Sequence, residues 1–347
     1  MWEERAHHAR RDIADLAASG LSLGDLHAEA IRVVGHDVRT ELTCWATIDP
    51  ENLVISTMAS GEPRIPSQYE PLLADAEYSP EEPHTFAGMA RHREDVARLS
   101  DLPLKDHDRS ARYRNVWRPL GVRQELRILF VADGACWGAA GLVRSGSDFT
   151  DREIEYLRAV APTIASATRL AVRSEISDST AAARPAIVVL GSNGELRSAT
   201  AEARRWQESL DDVEPGRFLV FMRILGRGAR SSASGAFRAR IRDGQGHWAL
   251  MHASTLVGGE DDDQVAVSIT PAAGDQLIPM LLVAYGLTPR EQDVCREVIA
   301  GHPTTLIASR LFLTQNTVQD HLKSVFAKVG VRSRGELVAR LQPHLAA

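Results

Sequence analysis

Late in the sequence, Asn316, Gln319, Asp320, Lys323 and Ser324 carry hydrogen-bond donors and acceptors at helical steps. At 3.6 residues per turn they fall on one side of a helix, and Val318, Leu322, Val325 and Val329 fall on the other. The chemistry such a face offers is hydrogen bonding to the polar edges of a partner. Taken alone, a polar stripe is most often an ordinary solvated surface, so its meaning depends on the elements that hold it.

Those elements are well punctuated. Thr288 followed by Glu291 is a capping box with Pro289 at the tolerated first helical position. The helix it opens carries Val294, Val298 and Ile299 at helical spacing and ends near Ala300, where Gly301 and Pro303 stop it. A short run from Thr304 to Leu311 places Ile307, Ala308 and Leu311 on one side, and Phe312-Leu313-Thr314 breaks it before a new N-cap. The polar-faced helix then runs from Gln315 to Val329 and closes at Gly330, and Ser333 with Glu336 opens a last helix through Leu337, Val338 and Leu341.

This segment resembles the LuxR/NarL-type helix-turn-helix family. The motifs are Leu-Thr-Pro-Arg-Glu over 287–291, Ile307-Ala308 with Arg310-Leu311, Thr317-Val318, His321-Leu322, and Gly330-Val331-Arg332-Ser333-Arg334 with Glu336-Leu337. The resemblance implies that the third helix enters the major groove of double-stranded DNA. Gln319, Asp320 and Lys323 would then contact bases, and Thr314, Asn316, Thr317, Arg332 and Arg334 would position the phosphate backbone. The sequence departs from the family at Pro303-Thr304-Thr305-Leu306, where a Ser/Thr cap with polar and charged residues is usual. It departs again at Gln319, where lysine is common, beside an Asp320 that repels phosphate unless it accepts from a cytosine amino group.

Charge follows the same division. Residues 286–347 hold eight Lys+Arg against five Asp+Glu, a net of +3, whereas the rest of the chain holds 32 against 41, a net of −9. Of only three lysines, Lys323 and Lys328 lie on the polar-faced helix. A net of +3 is weak for one copy, because affinity for DNA comes largely from counterions released by several phosphate contacts. We therefore expect a homodimer whose recognition helices meet half-sites about one helical turn, ~34 Å, apart on a near-palindromic operator.

The remaining ~280 residues leave room for two further domains at the usual ~100–200 residues each. With 44% hydrophobic and 25% charged residues the composition is that of a folded soluble protein. The absence of a long apolar run and of signal-peptide character points to the cytoplasm, with no membrane partner. An amphipathic helix around Ile13, Leu16, Leu23 and Leu26 is followed by strands over 42–48 and 53–58, joined by an Asp49-Pro-Glu-Asn52 turn. Periodicity does not organise the stretch from Pro63 to Pro119. Strands over 124–131 and 137–143 then flank an Asp133-Gly134 turn, and Thr150 with Glu153 caps a long helix. This order resembles a GAF domain, through Trp137-Gly138 and Phe149-Thr-Asp-Arg-Glu153. In the long helix Leu157, Val160, Ile164, Ala167 and Ala171 recur at coiled-coil spacing across Pro162. They fit either a dimer seam or packing on the domain's own sheet.

Residues 177–184 are small and polar, as a linker would be. Ala186–Leu190, the turn Gly191–Gly194, Glu195–Arg197, Ala236–Arg242, a turn at Asp243-Gly244, His247–Ser254 and Gln264–Ile269 read as alternating strands and resemble a PAS domain. The expected organisation is thus a GAF-like domain over 1–176, a PAS-like domain over 185–272 and a helix-turn-helix over 280–347. In class terms, two α+β domains with antiparallel sheets precede an all-α four-helix domain.

Both resemblances imply a pocket between sheet and helices, hence a small-molecule effector. Trp45, Met58, Phe86 and Trp117 are candidate liners, although aromatic and Met residues in such segments are usually plain core. Twelve histidines in no diagnostic pattern give no haem ligand, and residues 185–272 contain no cysteine for a flavin adduct. A Cys-His dipeptide for a bilin, a receiver-type acidic pair, a P-loop and a metalloprotease helix are all missing. No cofactor and no metal site are expected. Cys44, Cys136 and Cys295 are far apart and form no Cys-x-x-Cys pair.

The expected function is that of an effector-controlled, DNA-binding transcriptional regulator, with RNA polymerase as a further partner, and not that of an enzyme. Two alternatives use Cys44 and Cys136, a thiol-based redox sensor and a GAF-type thiol reductase. Either needs a depressed thiol pKa in an accessible setting.

Overall fold

The computed structural model describes residues 2–178, 186–212, 215–243, 246–257, 263–272 and 276–341. The expected linker beyond residue 178, the Gly244 position of one expected turn and the tail from residue 342 lie outside them. The chain forms two compact units, one of residues 1–171 with 180–272 and one of residues 172–179 with 273–347.

The first unit opens with two helices where one was expected, α1 (Trp2–Ala18) and α2 (Leu23–Asp37). Gly20, at φ +70°, turns the chain out of α1, and the Ser22 hydroxyl restarts a helix by accepting from Asp25 N. Strands β1 (Leu42–Ile48) and β2 (Ile55–Ser60) form a hairpin whose second strand begins two residues later than its apolar run suggests. Its turn is held open by side chains. Asp49 accepts from Glu51 N at 3.0 Å, Asn52 accepts from Val54 N at 3.0 Å, and Leu53 takes a positive φ.

The stretch without clear periodicity contains α3 (Glu70–Glu77), α4 (Phe86–His92) and the short strand β3 (Val96–Arg98), with short helical turns before α3 and after β3. β4 (Gln124–Ala132) and β5 (Ala135–Arg144) pair around Asp133 and Gly134, both at positive φ, as a two-residue hairpin turn requires. The five strands make one antiparallel sheet in the order β2-β1-β5-β4-β3. The long helix α5 (Asp151–Asp178) starts at Thr150, whose backbone N–H donates to Glu153 at 2.7 Å. Leu157, Val160, Ile164 and Ala167 on α5 are all buried within the single chain. Of the two readings of this stripe, packing on the domain's own core accounts for these four side chains, and Ala171 is half-buried.

The second sheet repeats the same order, β7-β6-β10-β9-β8. It is built from β6 (Ala186–Leu190), β7 (Leu196–Ala199), β8 (Ala236–Arg242), β9 (Trp248–Thr255) and β10 (Val265–Pro271), with α6 (Ala201–Asp211) and α7 (Arg217–Ser231) between β7 and β8. Alternate strand residues Val188, Leu190, Ala239, Ile241, Met251, Val265 and Val267 meet Phe218, Phe221, Met222 and Leu225 of α7 in one core. Val54 and Ala74 of the first sheet domain belong to the same cluster, so the two sheet domains share an apolar junction.

Charge pins that junction. Arg217, 1% exposed, donates to Thr57 Oγ1 at 3.1 Å and to the Met58 carbonyl at 2.6 Å. Arg223 meets Asp75 at 2.9 Å, and Arg240 bonds both Asp49 and Glu51 at 2.6 Å. Asp49 is fully buried, and burial pushes its carboxyl pKa up, so its charge depends on the guanidinium beside it. Arg240→Met is expected to cost about 3–5 kcal/mol in urea unfolding, because it strands a buried carboxylate. Adding Asp49→Asn should recover much of that loss. A single substitution with no measurable cost would show that the pair contributes nothing to the junction.

Candidate nucleic-acid interface and interior cavity

In the second unit α8 (Ile278–Ala284) is followed by α9 (Pro289–Ile299), α10 (Thr304–Arg310), α11 (Gln315–Val329) and α12 (Arg334–Leu341). α11 begins where the Thr314 hydroxyl accepts from Thr317 N at 3.1 Å and ends at Gly330 in the left-handed conformation, φ +77°. Val318, Leu322, Val325 and Val329 are buried together with Val294 and Val298 of α9, Ile307 of α10 and Leu337 of α12. This small bundle fixes which face of α11 is outward.

On that face Gln315, Asn316, Gln319, Asp320 and Lys323 are exposed. Lys323 Nζ lies 3.1 Å from Asp320 Oδ1, so two of the three expected base-contacting groups pair with each other. With both partners about three-quarters exposed, the pair contributes ~0–1 kcal/mol and gives way readily to a competing partner. Thr314 and Arg332 are exposed beside the ends of the helix, and Thr317 is half-buried.

Three expected positions prove to be occupied within the fold. Ser324 turns toward α9 and donates to Glu291 Oε1 at 2.6 Å, so it leaves the outward stripe. Lys328 donates to Glu291 Oε2 at 2.6 Å, which removes it from the free cations of the helix. Arg334 bonds the His302 carbonyl, where α9 hands over to α10. Glu291 thereby holds three donors, since Thr288 N also reaches it at 2.7 Å. Burial alone would raise its pKa, but Lys328, Ser324 and Thr288 outweigh burial and hold the carboxyl at about 2. The last capping box is also altered: Ser333 Oγ accepts from Glu336 N, but the Glu336 carboxylate reaches back one residue further, to Arg332 N at 2.8 Å.

The sequence reading places Phe312 in the break before α11 and gives it no role. It stands in the turn before α11 at φ +55° and is 94% exposed, beside the Thr314 cap. Its place between a helix end and an N-cap was the available signal, because neither flanking stripe can bury it.

The first unit contains an apolar cavity of about 90 Å³ between the first sheet, α3 and α7. Met58, Phe86 and Trp117 line it. Trp45 does not: it lies on the opposite face of β1, with its ring 4.8 Å from Phe130 and 6.0 Å from His27. Successive strand residues point to opposite faces, so Cys44 and Ala46 reach the cavity in its place. The sequence reading also missed Arg112, Glu125 and Arg127, all buried at the cavity edge. Alternating charges inside the apolar run 124–131 were the signal for Glu125 and Arg127.

The thiols do not form a redox pair. Cys44 faces Gly141 across β1 and β5, whereas Cys136 is five residues further along β5, ~17 Å away at the usual rise. A disulfide needs Cα atoms within ~7 Å. Burial also pushes the Cys136 thiol up to about 12, so little thiolate exists at neutral pH. Among the described residues no group of three or more His, Cys, Asp or Glu could hold a metal ion, and no helix is long and apolar enough to cross a membrane.

Residues 286–341 match the family model of the bacterial regulatory proteins of the luxR family. The chain is 52% identical over 52 residues to an HTH-type transcriptional regulator of Mycobacterium bovis, covering 15% of this chain and 6% of that protein. It is 42% identical over 50 residues to the nitrate/nitrite response regulator protein NarL of Escherichia coli K12, covering 14% and 23%. With the spore germination protein GerE of Bacillus subtilis 168 it shares 36% identity over 55 residues, covering 16% of this chain and 74% of GerE. The chain thus spans only a small part of the first of these relatives. Among solved structures, the Vibrio cholerae VqmA dimer aligns at 13% identity and a TM-score of 0.21 over 45% of this chain and 81% of that one. PelD of Pseudomonas aeruginosa PAO1 aligns at 9% identity and 0.30 over 81% and 84%.

Proposed function

The chain belongs to the LuxR family of bacterial regulatory proteins through residues 286–341, and from that membership we propose that it is a sequence-specific transcriptional regulator controlled by a small effector. The observation that carries the proposal is α11, capped at both ends and packed along one side, with Asn316, Gln319, Asp320 and Lys323 held outward. Gln319, Asp320 and Lys323 read base edges in the major groove. Thr314, Asn316, Thr317 and Arg332 hold phosphates, aided by the free N–H groups at the start of α11. Two copies bind a near-palindromic operator, since one +3 domain releases too few counterions for tight binding.

The two sheet domains are read as GAF-like and PAS-like, a reading supported by their shared 2-1-5-4-3 strand order with helices packed against each sheet. A ligand that prefers one arrangement of the protein changes operator affinity by its differential binding, ~1–3 kcal/mol or roughly 5- to 150-fold. The protein acts in the cytoplasm, with RNA polymerase as its partner at the promoter.

The test is selection of duplexes from a random pool by the full chain, followed by titration of the enriched sequence at several salt concentrations. Recovery of a near-palindrome bound with a steep salt dependence is expected; failure to enrich any sequence, with no duplex binding at low salt, overturns the proposal. Two arginines provide an internal control. Arg332→Ala should reduce the salt slope by about 1 per protomer, as loss of one phosphate contact does. Arg334→Ala should leave the slope unchanged and lower stability, because its guanidinium is committed to the His302 carbonyl.

A further inference from the structure

One glycine opens part of the wall of the cavity in the first unit. Gly141 sits in the middle of β5, a central strand, where glycine weakens pairing and gains nothing by packing. A Cβ built on it would meet nothing within 4 Å, whereas one on Gly138 of the same strand would strike the Ala46 carbonyl at 2.7 Å. The space over Gly141 is the cavity itself. Its roof comes from both sheet domains, Ala74 of α3 on one side and Val220 and Ile224 of α7 on the other.

The polar groups at its edge are unequally satisfied. Glu125 takes Arg112 Nε at 2.8 Å and 3.0 Å through its two oxygens. Glu77 accepts from Phe86 N at 2.6 Å and from Arg127 Nη2. Every carboxylate of this buried network that borders the cavity therefore has its hydrogen bonds. The guanidiniums do not: Arg127 Nε and Arg112 Nη1 are buried with no hydrogen-bond partner, although Arg112 Nη1 lies 3.2 Å from Glu82 Oε1. Arg127 is also stacked 3.6 Å over the Phe86 ring, which fixes its plane. A buried donor left unsatisfied is costly and calls for an acceptor.

We propose that this chamber binds a compact, uncharged, largely apolar molecule that presents one acceptor oxygen to the buried arginine donors. Glu77, Glu82 and Glu125 against Arg112 and Arg127 already leave the network one negative charge in excess. An anionic ligand would add to that excess in a dry site, so a carbonyl or ether oxygen fits and a carboxylate does not. An ammonium ligand has the opposite fault, bringing donors to a place whose open hydrogen-bonding positions are donors. At about 90 Å³ the space is smaller than the ~150 Å³ apolar cavities that take up benzene, so a single small ring enters only as Met58, an adaptable side chain at the wall, gives way. The assignment rests on the effector reading for its consequence in regulation, but the ligand chemistry is independent of DNA.

The test uses the full chain and four molecules of one skeleton, cyclohexanone, methylcyclohexane, cyclohexanecarboxylate and cyclohexylamine, titrated by calorimetry. Cyclohexanone is expected to saturate one site per chain about tenfold or more tighter than methylcyclohexane, and the two charged analogues should not saturate. Gly141→Val places its side chain in the open space, where the Cβ meets nothing within 4 Å, and should abolish binding of both neutral probes. Arg127→Lys keeps the charge but removes the Nε donor, and should erase the ketone preference while hydrocarbon binding persists. Equal affinity for ketone and hydrocarbon, tighter binding of either charged probe, or Gly141→Val binding as before would each overturn the proposal. Ketone binding that leaves operator affinity unmoved would uphold this site chemistry and count against effector control, which keeps the two failures distinct.

Discussion

Replacing Gln319 and Lys323 together by alanine is expected to weaken binding to a selected operator about a hundredfold or more, with only a several-fold loss on random duplex. Each well-made contact to a base edge discriminates by about 1–3 kcal/mol, and the two side chains stand one turn apart on the same exposed face. Neither contributes to the bundle, whose α11 members are Val318, Leu322, Val325 and Val329, so the double variant should unfold at the wild-type urea concentration. Asp320 gives the opposite sign. Its carboxylate holds Lys323 at 3.1 Å and faces the same side as the proposed phosphate contacts. Asp320→Ala should therefore tighten binding to random duplex and narrow the gap between operator and random sequence, as expected when a repulsive element that enforces choice is removed. Titrations at two salt concentrations read both effects. If the double variant lost affinity equally on both duplexes, these side chains would be backbone contacts and the recognition face would have to be sought elsewhere on the domain.

How far the sequence foretold this arrangement varies along the chain for physical reasons. α9 to α12 were legible almost to the residue because their signals are local: Thr288 with Glu291, Thr314, and Gly330 each bond within a turn of themselves. The inward valines of α11 needed only periodicity. Legibility ended where a side chain chooses a partner distant in sequence. Ser324 and Lys328 belong by spacing to the edge of the wet face, and only the packing of α9 against α11 turns them to Glu291. Arg334 turns in the same way to a carbonyl 32 residues earlier. In the front domains the strands announced themselves by alternation. The cavity did not, because it is assembled from β1, β2, β5, α3 and α7 and depends on which face of β1 each residue takes. A one-residue difference there separates Trp45, packed on Phe130, from Cys44 and Ala46 at the cavity wall.

The second large effect is expected at Glu291, whose replacement by glutamine should loosen α11 without touching any residue proposed to meet DNA. The carboxylate is 5% exposed and joins α9 to α11 through Ser324 and Lys328 while completing its own capping box. Hydrogen bonds that involve a charged group are each worth about 1.5–3 kcal/mol, and an amide keeps the acceptor but loses the charge opposite Lys328. Glu291→Gln should thus lower the opening free energy of α11 amides, measured by hydrogen exchange in the full chain at neutral pH, by about 2 kcal/mol. The pH dependence identifies the cause. A carboxyl held at about 2, against an ordinary value of 4.5, stabilises the folded domain fully above pH 4.5 and loses that contribution as the pH falls toward 2. The difference between wild type and variant should therefore be constant from neutral pH down to about 5 and shrink below it. Lys328→Met should reproduce part of the loss, and combining it with Glu291→Gln should cost less than the sum of the two, since both remove one contact. A variant whose α11 exchanges like wild type at every pH would mean that the valine stripe alone orients the recognition helix, and that the brace under it is idle.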